Sequence, residues 1–132
     1  AELASRLETE DSVRVVLFAG PEERALVKRL RTAFPPSIVV LDRLTIPQLA
    51  AAAARLSVFV SNDTGPMHIA AAVGTPVVVL LARHPMSDCY VPVGERHRVV
   101  SAARIEDISV EAARDAARSA FTTERMSSLF ST

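Results

Sequence analysis

Short apolar runs recur along the chain at near-regular spacing, with stretches between them in which apolar residues return every third or fourth position. The runs are VRVVLFA (13–19), SIVVL (37–41), SVFVS (57–61), PVVVLL (76–81) and RVVSA (98–102). Each is short, rich in Val and Ile, and nearly continuous rather than alternating. That pattern predicts strands buried on both faces of a parallel sheet. Between them, residues 21–34 place Leu26, Leu30 and Phe34 on one helical stripe with Val27 beside it. Residues 46–56 read as an Ala-rich helix with Pro47 in its first turn and Thr45 as N-cap. Residues 67–73 form a short helix closed by Gly74, the residue type favoured just past a helix end. Ser109 caps a last amphipathic helix, SVEAARDAARSAF. Residues 1–9 resemble the end of a further helix, and the polar tail 122–132 is expected to fray or to dock on a partner. Strands alternating with helices of this length predict an α/β fold, a parallel sheet with helices on both faces.

Composition narrows the setting without naming a function. The 132 residues make about one domain, and 49% apolar with 23% charged residues is a globular balance. Fifteen basic side chains offset fifteen acidic ones, so no overall field points to a nucleic acid as partner. Cys89 is the single cysteine and no residue spacing suggests a metal site, which fits a reducing compartment. No run approaches the ~18 apolar residues that a membrane-spanning helix needs, and no signal peptide is visible.

The chemistry concentrates in SNDTGPMHIAAAVG, residues 61–74. In open α/β sheets ligands bind at the carboxyl ends of strands, and residues 61–65 lie at such an end, leading into a helix. Pro66 suits the first helical turn because it has no N–H to leave unpaired. Gly65 lets backbone approach a ligand without a Cβ in the way. The helix N-terminus then makes an anion site, with Thr64 adding a hydroxyl and His68 a ring N–H. Asp63 suits a phosphate poorly. It fits either as an acceptor for sugar hydroxyls or as a clamp on the N–H groups of its own turn. The plainer reading is that Asn62, Asp63 and Gly65 only cap the helix.

The string DTGPMHIAAAVGTPVV closely resembles the signature of glycosyltransferase family 9, the heptosyltransferases of the lipopolysaccharide core: Asp-Thr/Ser-Gly-x-x-His, an Ala-rich helix, then Gly-x-Pro and a strand. LFAGPEERALVKRL resembles the family's strand, Gly-Pro-Glu turn and helix. LTIPQLAAAAARLSVFVSND is similar to the helix and strand before the signature, and HRVVSA with the last helix to the C-terminal end. The likeness implies a GT-B architecture, two Rossmann-like domains across a cleft, with residues 1–132 as the C-terminal, donor-binding domain, complete or in part. It implies a transferase moving a sugar, heptose in the family, from a nucleotide-diphosphate sugar such as ADP-heptose to a lipid-linked saccharide acceptor held by an N-terminal domain outside this chain. By position, Asp63, Thr64, Gly65 and His68 would contact the diphosphate and donor sugar. Glu22 or Glu23 would hold the ribose hydroxyls, and the backbone near Leu44 would flank the adenine. A carboxylate suits the ribose because it can accept from both hydroxyls of a vicinal diol. The general base would lie in the N-terminal domain, which leaves His68 as a stabiliser of the leaving group and this chain alone with little activity. The donor is a substrate, and neither a cofactor nor a metal is called for. The setting implied is the cytoplasm, at the inner face of the membrane that holds the acceptor.

Two features depart from the family pattern. Its C-terminal domain opens with a strand and a loop whose Lys contacts the phosphates, whereas Lys28 here lies within a later helix. In a Rossmann-type order that opening strand is central, so its place is expected to be taken by a preceding segment, another chain or rearranged pairing. The loop after the fourth strand is LARHPMSDCYVP instead of a Gly-Pro-Thr-Asp-Pro type of sequence. His84, Ser87 and Asp88 there read as a loop that could face the donor sugar, and His97 as a surface residue at a strand edge. Two other readings stay open: a non-catalytic nucleotide-binding or interaction module, and another GT-B enzyme such as a nucleotide-sugar epimerase. A Ser-His-Asp hydrolase of the α/β type is not expected, because no Gly-x-Ser-x-Gly elbow is present.

Overall fold

The computed structural model describes residues 1–86 and 91–130, with side chains described as far as Phe121. The order is α1 (Glu2–Glu10), β1 (Val16–Phe18), α2 (Arg24–Arg29), a 3-10 turn (Arg31–Ala33), β2 (Val39–Leu41), α3 (Ile46–Ala53), β3 (Phe59–Asn62), α4 (Gly65–Ala72), β4 (Val77–Ala82), β5 (Arg98–Ala102), a second 3-10 turn (Ile105–Asp107) and α5 (Val110–Phe130). Every strand pairing is parallel. The fold class is the one the apolar pattern predicts, α/β with helices joining parallel strands.

The strands form two sheets, β1-β2 and β3-β4-β5. The chain correspondingly resolves into two compact units, Ala1–Thr45 and Ile46–Thr132.

In the second unit β4 is the core. Val77, Val78 and Val79 are fully buried, and because successive side chains point to opposite faces, both faces of β4 are covered. Helices α4 and α5 pack against it. Each fully buried Val is worth about 1.5–3 kcal/mol relative to exposure. Met67 and Ala70 anchor the buried side of α4, and Ala113, Ala117 and Ala120 that of α5. Gly74 ends α4 with φ 87, the left-handed geometry its position asked for. Thr75 follows as a buried polar residue, and its hydroxyl donates to the Ala53 carbonyl at 2.7 Å. That bond fixes the α4–β4 turn to the last residue of α3.

The first unit has a thinner core, Leu7 and Ile38. Helix α2 buries none of its residues, and Leu26 and Leu30 are exposed. The single helix expected over residues 21–34 is in fact a turn, two turns of α-helix and a 3-10 turn. Phe34 precedes Pro35 and is held extended at φ −95, ψ 152, which stops the helix short of it. Helix α3 also ends early, at Ala53. Helix α4 starts two residues sooner than the sequence suggests. At the other end, Ser109 Oγ accepts from the Ala112 N–H at 3.1 Å as the cap reading requires, and α5 runs on to Phe130 instead of fraying after Phe121.

His97 is the clearest correction. It is a half-buried residue whose Nδ1 accepts from the Val77 N–H at 3.1 Å, so it serves the first residue of β4 from the position just before β5. The bond requires the tautomer with its proton on Nε2. Burial pushes the His97 pKa below its usual value, and the flanking Arg96 and Arg98 push it the same way. Above pH 6.5 both folded and unfolded chains carry a neutral ring, and the contribution is fully present. As pH falls below that value the unfolded state takes up the proton first, so stability is lost. Denaturant unfolding of the wild type should weaken on acidification from pH 7 through this window, and His97→Gln, which keeps an acceptor but cannot titrate, should flatten that part of the profile.

Candidate functional site

The phosphate-site residues predicted from the sequence gather at one place. Strand β3 ends at Asn62, Asp63 turns, and Thr64 is the N-cap of α4 in extended backbone, φ −145, ψ 163. No side chain caps the helix. The simple capping role for Asn62 and Asp63 is therefore not what these residues do. The Thr64 hydroxyl pairs with Ser61 Oγ at 3.0 Å, and Ser61 Oγ donates to the Asn62 carbonyl at 2.8 Å, which holds the turn from within.

Asp63 does not clamp the N–H groups of its turn either. Its Oδ1 faces His68 Nε2 at 3.9 Å, and both side chains are exposed, 38% and 53%. At that separation in water the pair is loose, and both groups keep capacity for another partner. A spacing of five residues does not juxtapose side chains within a helix. The contact arises because Asp63 lies outside α4, on the extended turn before it.

The donors of the first helical turn are fewer than expected. Pro66 has no N–H, and the Met67 N–H turns back to the Thr64 carbonyl at 3.1 Å. The Gly65 and His68 N–H groups complete the turn at the positive end of the helix dipole. Gly65 itself is unusual. It does not have a positive φ, and a Cβ built on it would meet nothing within 4 Å. Neither backbone conformation nor internal packing calls for glycine there.

The other predicted residues lie in the first unit. Glu22 and Glu23 are exposed in the turn after β1, with Glu23 as N-cap of α2, and Leu44 is 36% exposed after β2. All three are at carboxyl ends of strands. His84 Nδ1 accepts from the Met86 N–H at 3.3 Å, a local turn contact, while Ser87 and Asp88 lie outside the described residues. A depression of about 580 Å³ lined by Glu8, Ser12, Val13, Arg14, Ser37 and Val39 opens at the amino ends of β1 and β2, the end of a parallel sheet that ligands do not use. Among the described residues no cluster of His, Cys, Asp and Glu could hold a metal ion, and no helix is long and apolar enough to cross a membrane.

The profile described as glycosyltransferase family 9 (heptosyltransferase) matches residues 1–117. The chain belongs to glycosyltransferase family 9. Over 70 residues this family 9 chain is 36% identical to lipopolysaccharide heptosyltransferase 3 of Escherichia coli, a stretch covering 50% of the chain and 21% of that protein. The crystal structure of the glycosyl transferase family 9 from Veillonella parvula DSM 2008 superposes with a TM-score of 0.81 at 22% identity, over 92% of the chain and 40% of that structure. The fold is therefore that of a family 9 glycosyltransferase, and the chain spans well under half the length of either protein. The acceptor role of His97 had no signal in the sequence, because it depends on a backbone N–H that the sheet brings to it, and the pairing of Ser61 with Thr64 depends on the local turn geometry.

Proposed function

We propose that this chain supplies the donor-binding part of a glycosyltransferase, one that moves a sugar from a nucleotide-diphosphate sugar to a saccharide acceptor. ADP-heptose and a lipopolysaccharide core acceptor are the specific pair we infer, on the strength of the heptosyltransferase likeness. The observation that carries the reading is Gly65. A glycine that the fold itself does not need, at a helix N-terminus with open space before it, suits the close approach of an external anion.

In transfer, the acceptor hydroxyl attacks the anomeric carbon, the bond from that carbon to the diphosphate oxygen breaks, and negative charge builds on the departing diphosphate. Stabilising that charge where it develops lowers the barrier. The Gly65 N–H and the His68 ring are the groups for this task, joined by the Thr64 hydroxyl when its proton turns from Ser61 Oγ to the diphosphate. Asp63, beside His68, accepts from a hydroxyl of the transferred sugar. Glu22 or Glu23 and the Leu44 turn serve the ribose and the base. The general base that takes the acceptor proton comes from outside these 132 residues, so the chain alone binds donor and turns over little. No cofactor or metal enters this scheme.

The test is calorimetric titration of the protein that carries this chain with ADP-, GDP- and UDP-sugars, alongside a transfer assay with a lipid-linked core saccharide. Binding of one nucleotide sugar with transfer supports the proposal. Binding without transfer would favour a nucleotide-binding module, and no binding of any donor would overturn both.

A further inference from the structure

Away from the phosphate cradle, one side chain makes a bond whose purpose the fold alone does not supply. Arg24 directs two donors, Nε and Nη2, onto the same backbone carbonyl, that of Asp42, at 3.0 and 2.8 Å. The Asp42 carboxylate is farther away, 4.0 Å from Nε. The fork therefore holds the backbone of residue 42, and the identity of its side chain is secondary.

The position of this bond matters. Arg24 is the first residue of α2 and adjoins Glu23, while Asp42 directly follows β2 and lies two residues before Leu44. Strands β1 and β2 pair in register as far as Phe18 and Leu41, and the Ala19 N–H adds a last ladder bond to the Leu41 carbonyl at 3.1 Å. Beyond it the two chains diverge into separate turns, and Arg24 ties those turns together. In the first turn the Glu23 carboxylate lies back over Gly20, since a Cβ on Gly20 would stand 2.5 Å from Glu23 Oε2. In the second, Leu44 presents an apolar side chain to solvent. A carboxylate and an apolar side chain on one rim, at the carboxyl ends of neighbouring parallel strands, suit the diol and the flat ring of a nucleoside.

We propose that Arg24 is a positioning residue for the nucleoside part of the donor, setting the Glu23 turn against the Leu44 turn through its fork on the Asp42 carbonyl. This rests on the donor-binding reading above. Arg24 does not touch the nucleotide. Its loss lets the two turns move independently and leaves the phosphate cradle of the other unit untouched.

The experiment titrates the protein that carries this chain with ADP, GDP and UDP, and separately with inorganic pyrophosphate, for the wild type, Arg24→Met, Arg24→Lys and Asp42→Asn. Arg24→Met should weaken the nucleotide that the wild type binds by about three- to tenfold, the loss of one positioning interaction, with pyrophosphate affinity unchanged. Arg24→Lys, which keeps a single donor, should fall in between. Asp42→Asn keeps the carbonyl and should stay within about twofold of the wild type, because the exposed carboxylate contributes little. Equal nucleotide affinity in Arg24→Met, or a matching loss of pyrophosphate, overturns the proposal. Should Arg24→Met fail to fold, Arg24→Lys carries the same comparison. A wild type that binds pyrophosphate but none of the nucleotides overturns the donor reading itself, and the role of Arg24 with it.

Discussion

Replacing Gly65 by Val should remove donor binding while leaving the protein folded. The two effects separate because the structure gives Gly65 no internal role. A Cβ at this position meets no atom within 4 Å, and the backbone is not in the left-handed region. Val at the start of a helix changes stability by no more than about 0.5 kcal/mol. The same branched side chain fills the space in front of the Gly65 N–H, and displacement of an anion from a preorganised donor costs on the order of a hundredfold in affinity or rate. Thermal unfolding and nucleotide-sugar titration on one preparation decide the matter. Donor affinity that survives in a folded Gly65→Val protein would remove the helix N-terminus from the site.

His68→Ala is the second large effect. The ring is exposed and its nearest polar partner, Asp63, stands off at 3.9 Å, so the fold gains little from it. A hydrogen bond from a ring N–H to a diphosphate is charge-assisted and worth about 1.5–3 kcal/mol, which corresponds to roughly ten- to a hundredfold. We expect donor binding or turnover of the complete enzyme to fall by that factor with stability unchanged. A split between the two parameters is informative. Loss of turnover with binding retained places His68 on the charge that develops as the diphosphate leaves, and loss of binding alone places it on the ground-state diphosphate. Unchanged affinity and rate would show that His68 takes no part.

The strands were readable from the sequence, although the expected burial on both faces holds for β4 and not for β1, β2 or β5, whose residues are half-buried or exposed. All five strands come from Val- and Ile-rich runs, and β4 is the most continuous run because both its faces are covered. Helix extent was less readable. Leu26, Leu30 and Phe34 keep helical spacing, yet Phe34 is fixed extended by the proline after it, and the stripe is broken although its spacing is intact. At the cradle, the residue types suggested an anion site, but spacing could not show Asp63 beside His68, because that contact is made across a non-helical turn. His97 looked like surface because nothing in the sequence tells that the first N–H of β4 lacks a partner until β5 lies next to it. Arg24 was unremarkable for the same reason, since its partner is a main-chain carbonyl, which carries no residue signature.

The uneven cores of the two units have a consequence for local opening. Buried apolar side chains in Ala1–Thr45 are Leu7 and Ile38, whereas the second unit holds the fully covered β4 with α4 and α5 against it. Regions with few buried contacts open at lower free energy than the rest of a protein, so amide exchange should rank β4 slowest and α2, with no buried residue, among the fastest. The loop at Asp63–His68 is mounted on the slow side of that ranking and the Glu23 turn on the fast side. Under the donor-binding proposal, a cradle at Asp63–His68 would stay formed through fluctuations that dissolve the turn carrying Glu23, and selectivity for the nucleotide would be lost before affinity for the diphosphate.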